Sequence, residues 1–140
     1  LNRKMPAYID TGLNLIDVAD CARGHILAEE KGRLGERYIL GNKNMSLKEI
    51  LMTLEALTGL KAPQIKMPYW VAYGAGLACE WASDNITHQP PAVPLAGVKM
   101  AKYFMYFDPS KAIRELGLPQ NPVDNALRQA VQWFKENQAY

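Results

Sequence analysis

The chain has no apolar run long enough to cross a bilayer. Its longest, Trp70 to Cys79, stops at Glu80, well short of the ~18 residues that a spanning helix needs. Charge of one sign is also scarce. The net charge of +2 is dispersed over 140 residues, whereas a nucleic-acid surface gathers its lysines and arginines into a stripe. The leucine-rich stretch from Ser46 to Gly59 offers few basic residues to a groove, so a helix-turn-helix reading finds little support. Only two cysteines are present, Cys21 and Cys79, far apart and without a framework, which suits a reducing compartment and a cytoplasmic location. Leu1-Asn2-Arg3-Lys4-Met5 contains no apolar core and does not read as a secretion signal. No G-x-G-x-x-G follows a strand. The nearest string, Gly74-Ala75-Gly76-Leu77-Ala78-Cys79, lacks the third glycine and lies in mid-chain, so no cradle for a dinucleotide pyrophosphate is expected.

What is present is a regular order of strand and helix signals in a chain that is 49% apolar, of a length suited to one domain. Leu13, Leu15 and Ile16 form an apolar strand running into Asp17, which can cap a helix continuing to Lys31 and stopped by Gly32. Glu36 to Leu40 is a short β-rich run. Ser46 and Glu49 have the spacing of a capping box, opening a helix with Leu47, Ile50, Leu51, Leu54 and Leu57 on one face and a stop at Gly59. Gln64 to Met67 reads as a strand, and Pro68 suits the first turn of the helix that follows. Ser83 to Pro94, with prolines at 90, 91 and 94, is a loop; Leu95 to Ala101 is a short helix; Tyr103 to Phe107 is strand-like. Asp108-Pro109 starts a helix that Gly117 ends. Asp124 caps the last one, with Leu127, Ala130, Val131 and Phe134 on its inner face.

Several residues suggest chemistry. Asp17, Cys21 and His25 recur at helical spacing, but zinc ligands usually converge from separate turns, and these read as a cap, a small core thiol and a surface or packed histidine. His88 lies in the proline-rich loop without a recognisable catalytic partner and reads as solvent-exposed. Trp70, Tyr73, Leu77 and Trp81 form an aromatic stripe for core or partner packing, since no basic groove interleaves with it. Lys99 and Lys102, beside Tyr103 and Tyr106, are candidate cations for an anionic substrate, with a solvated face as the alternative.

Taken in order, Met5-Pro6-Ala7-Tyr8-Ile9-Asp10-Thr11-Gly12, the Leu13 to Thr58 stretch, Asp108-Pro109-Ser110-Lys111-Ala112 and Glu115-Leu116-Gly117-Leu118 resemble the C-terminal half of extended short-chain dehydrogenases/reductases. This is the NAD-dependent epimerase/dehydratase family, and within it the likeness is greatest to hopanoid-associated sugar epimerases and dihydroflavonol 4-reductase-like proteins. The resemblance implies an α/β fold: the C-terminal substrate-binding portion of a Rossmann-type enzyme, mostly helical with short strands, with residues 1–140 as one fragment and the N-terminal NAD(P)-binding domain absent. It implies hydride exchange at a carbonyl or carbinol carbon in the parent protein, as sugar epimerase or ketone reductase, with NAD or NADP as cofactor there and none on this fragment.

The family's catalytic Tyr-x-x-x-Lys is missing here. No tyrosine is followed four positions later by lysine, so no phenol gains the neighbouring ammonium that lowers its pKa for proton transfer. The fragment is expected to be inactive alone. The resemblance implies substrate contacts at Tyr8, Asp10, Lys99, Lys102 and Tyr103, and no catalytic, cofactor or metal residues. Asp10 falls where nucleotide-sugar epimerases commonly keep a phosphate-gripping arginine, and a carboxylate there favours a less charged sugar, a hydroxyketone or a flavonoid-like ketone. The alternative is a non-catalytic binding or regulatory module derived from the same fold. By the same resemblance Glu36–Leu40 is a strand of a parallel sheet that, orphaned from its partner half, would expose a pairing edge, and self-association or only marginal stability is expected.

Overall fold

A computed structural model describes residues 7–87, 89–91 and 93–137. Leu1 to Met5 with Pro6, His88 and Tyr140 lie outside the described residues. The elements run β1 (Ala7–Tyr8), β2 (Gly12–Leu15), α1 (Val18–Lys31), β3 (Lys43–Ser46), α2 (Leu47–Thr58), β4 (Ile65–Lys66), α3 (Tyr69–Ala82), a π-helical turn (Ser83–Thr87), α4 (Leu95–Ala101), α5 (Ser110–Leu116) and α6 (Val123–Glu136). The fold is mostly helical with two small sheets, parallel β1–β4 and antiparallel β2–β3.

The local signals act as their chemistry dictates. Asp17 accepts the Ala19 N–H at 2.7 Å and starts α1. Ser46 and Glu49 close a reciprocal capping box, the Ser46 N–H donating to Glu49 at 2.7 Å and the Glu49 N–H to Ser46 Oγ at 3.2 Å. Gly59 and Gly117 end α2 and α5 in the left-handed conformation at φ 71° and 72°, which glycine adopts without penalty.

Two packing centres follow. Leu27 of α1 meets Ala112 and Leu116 of α5 together with Leu118, and Ile16, Tyr38 and Leu40 seal the cluster. Met45, Ile50 and Val123 join β3, α2 and α6, with Leu13, Leu15, Leu54 and Leu127 around them. Asp20, almost fully buried, accepts both the backbone N–H and the side-chain amide of Asn121 at 2.8 and 2.6 Å, which fastens the chain before α6 to α1.

The structure differs from the sequence expectations at five places. Glu36 to Leu40 is not a strand. Side chains pin it instead: the Tyr38 hydroxyl donates to Glu115 at 3.0 Å, Arg33 pairs with Glu115 at 2.8 Å, and Lys111 pairs with Glu36 while lying 4.7 Å from the Tyr38 ring centroid. The strand that forms is β3, further on and antiparallel to β2. Tyr103 to Phe107 makes one parallel bridge, Leu13 to Met105, and the Asn44 amide replaces a strand neighbour by accepting the Phe107 N–H and donating to its carbonyl, both at 3.1 Å. Pro122, not Asp124, precedes α6, and Phe134 is exposed while Val131 is buried. Ser83 to Thr87, expected as loop, winds into a π-helical turn held by the Asn85 amide donating to the Trp81 carbonyl at 2.9 Å. Finally, of the two packings expected for the aromatic stripe of α3, core or partner, the core does not take it: Trp70, Leu77 and Trp81 are 76%, 46% and 63% exposed.

Candidate functional site

Parallel pairing of β1 with β4 sets Tyr8 opposite Lys66 and is extended by the Met67 N–H donating to the Tyr8 carbonyl at 2.8 Å. Two residues past β1, Asp10 then comes within reach of the Lys66 side chain, and the two pair at 2.7 Å. The hydrogen bond to Asp10, and then the charge of that carboxylate, hold the Lys66 ammonium above its ordinary pKa. Lys102, just past α4, joins them. A cavity of about 150 Å³ is lined by Ile9, Asp10, Lys66, Met67, Pro68, Tyr69, Ala101 and Lys102. It combines two ammonium groups, one carboxylate, a phenol and an apolar floor.

The five residues named from the sequence divide. Asp10 and Lys102 meet in this cavity. Tyr8 lines a second and larger one, about 550 Å³, with Lys48, Leu51, Met52 and Glu55 of α2 and Ala62, Pro63 and Gln64. Lys99 is exposed on α4 and lines neither cavity. Tyr103 points its ring outward, 66% exposed, while its carbonyl accepts the Thr11 hydroxyl at 3.3 Å. That bond ties the end of α4 to the residue beside Asp10, so the loop carrying Lys102 is fixed against β2. Lys66 and Tyr69 went unread. Lys66 lies 56 positions from Asp10, and only the β1–β4 register brings them together.

The pairing changes what Asp10 means. A lone carboxylate repels an anion, but here Lys66 neutralises it and Lys102 leaves the cavity with one positive charge in excess. The exposed pair adds little stability. Chemically the cavity offers a hydroxyl group an acceptor in Asp10 and donors in the two lysines. Among the described residues no cluster of histidine, cysteine or carboxylate side chains could hold a metal ion, and no helix is long and apolar enough to cross a membrane.

Comparison with known proteins places the whole chain. No family model matches. A Synechocystis sp. protein provisionally named dihydroflavonol 4-reductase is 47% identical over 144 aligned residues, covering 98% of this chain and 41% of that protein. The crystal structure of gox2253 superposes with a TM-score of 0.72 at 37% identity, covering 95% of this chain and 40% of the other. A nucleoside-diphosphate-sugar epimerase from Pseudomonas aeruginosa gives 0.70 at 29%, covering 97% and 39%. The chain therefore spans about two-fifths of the length of the relatives it matches.

Proposed function

The chain belongs to the extended short-chain dehydrogenase/reductase family and matches the C-terminal part of its relatives, and from that membership we propose that it is the substrate-binding portion of an NAD(P)-dependent sugar epimerase or ketone reductase. The reaction is hydride exchange at a carbonyl or carbinol carbon. The catalytic Tyr-x-x-x-Lys and the glycine-rich loop, which this sequence lacks, then belong to a separate nucleotide-binding half that carries NAD or NADP, in a reducing, cytoplasmic setting. This portion closes over the substrate and fixes its orientation, which is where a large part of the catalytic advantage of such a site arises.

The observation that carries this reading is the match of nearly the whole chain to two-fifths of its relatives; the place proposed for the substrate is the cavity at the end of the β1–β4 sheet, lined by Asp10, Lys66, Tyr69 and Lys102 among apolar residues. Its single net charge suits a hydroxylated ketone or a free sugar better than a nucleotide diphosphate, whose phosphates carry two negative charges. Calorimetric titration of the 140-residue chain with NADH and NADPH tests the division of labour. Negligible heat up to about millimolar cofactor is expected from a chain without a pyrophosphate cradle, and micromolar binding refutes it.

A further inference from the structure

Helix α3 carries one charged side chain, Glu80, and that one turns toward the protein and accepts the Leu95 N–H at 3.1 Å. Its buried side is made of Ala72 and Gly76, the latter so close to Leu95 that an added Cβ would lie 3.2 Å from Leu95 Cδ1. The opposite side faces solvent. Trp70, Gly74, Leu77 and Trp81 recur there at steps of four, three and four, which keeps all four on one narrow stripe. Nothing lies within 4 Å of the point where a Gly74 side chain would begin. The stripe is thus bulky at both ends, with a leucine knob beside an open glycine socket in the middle.

We propose that this stripe is a dimer interface, and that its occupant is α3 of a second copy of this chain, packed antiparallel about a two-fold axis passing between positions 75 and 76. That axis sets Trp70 of each copy against Trp81 of the other and drops each Leu77 onto the other copy's Gly74. The sequence is self-complementary in this register: large meets large at the ends, and knob meets socket in the middle, as an isologous contact requires. Charge agrees. Beside the start of α3, Lys66 is paired with Asp10 and Lys102 leaves one positive charge in excess, and Asp84 follows its end, so antiparallel copies bring that charge toward the acidic end of the other. The helix dipoles also oppose.

The area fits a modest dimer. With ~150–250 Å² for each aromatic side chain, the exposed fractions of Trp70, Trp81 and Leu77 supply about 400 Å² per copy. A pair then hides about 800 Å² from these side chains alone, below the ~1,200–2,000 Å² of stable specific interfaces and in the range of weak, transient ones, so the dimer is a weak one.

The proposal is independent of the substrate reading, and sedimentation equilibrium of the 140-residue chain tests it. The chain is expected to dimerise in the micromolar range. Gly74→Leu adds apolar surface and a better helix former at an open position, so mere stickiness, whether toward other copies or toward a lipid surface, grows stronger. A knob-and-socket dimer instead weakens at least tenfold. The double exchange Gly74→Leu with Leu77→Gly swaps knob for socket and restores dissociation to within about threefold of the original, while circular dichroism reports that all three chains are folded. A strict monomer at 100 μM, tighter association in Gly74→Leu, or failure of the exchange to restore the dimer each overturns the proposal.

Discussion

Helices α1 and α3 have the same length, fourteen residues, and opposite designs. α1 begins on a side-chain cap, buries Asp20, Gly24 and Leu27, and leaves Glu29, Glu30 and Lys31 in water. α3 begins after Pro68 with no side-chain cap, buries only Ala72 and Gly76, and turns two tryptophans and a leucine outward. Each is amphipathic in its own sense. α1 is finished by its own chain, through α5 and the Asp20–Asn121 bonds; α3 is finished on one side only, by α4. Helical period alone does not distinguish them, since each buries one face, with a glycine on it, Gly24 in α1 and Gly76 in α3. What separates them is whether the outward face carries charge.

The contrast can be broken most forcefully at the α1–α5 contact. Leu116 is fully buried there among Leu27, Ala112 and Leu118, so Leu116→Ala is expected to cost about 2–5 kcal/mol, read from chemical denaturation. A loss below about 1 kcal/mol would mean that this cluster does not hold the chain together.

How far the sequence could be read depends on how far each partner lies along the chain. Asp17, the Ser46–Glu49 box, Gly59 and Gly117 act on groups within a few residues, and all were legible. Glu36 to Leu40 has the composition of a strand, but whether a strand forms depends on a ladder partner, and here Glu115 and Lys111, more than seventy positions away, hold the segment by its side chains. The aromatic run at 103–107 fails as a strand for a related reason, since Asn44 rather than a backbone ladder meets Phe107. Of the candidate cavity, the sequence offers Asp10 and Lys102 as residues, yet Lys66, which pairs with Asp10, becomes its neighbour only through the parallel register of two-residue strands.

A smaller loss is expected at Asp20. Asp20→Ala leaves the Asn121 N–H and amide without their buried acceptor, for about 1–3 kcal/mol, and loosens the approach to α6 while leaving α3 unchanged. Hydrogen exchange at residues 120–124 locates the effect; uniform loosening across α3 as well would erase the distinction between the two regions.

The mildest test is acid. Four carboxyls, all outside α3 and α4, are held below their ordinary pKa: Glu36 by the Lys111 hydrogen bond, Glu49 by Ser46, and Asp108 by the Ser110 backbone N–H. For the fourth, Glu115, burial pushes upward, and the Tyr38 hydrogen bond with Arg33 outweighs it. A depressed folded pKa means that the unfolded chain binds the proton first. The stabilisation is therefore complete above about pH 5 and is lost as pH falls through about 4 and below. The thermal midpoint is expected to be level from pH 8 to 5 and to drop below about 4. No acid loss would mean that these exposed pairs are not formed in solution.

The substrate reading is tested most directly by separating the two lysines that sequence alone treats alike. In the chain joined to its nucleotide-binding half, with a dihydroflavonol and a nucleotide sugar as alternative substrates, Lys102→Ala is expected to raise KM for the substrate used by about five- to thirtyfold with little change in kcat, the signature of a group that binds ground and transition states alike. Lys99→Ala, outside the cavity, is expected to leave both constants unchanged. Equal effects of the two substitutions, or none from Lys102, would contradict the assignment of the β1–β4 cavity as the substrate site.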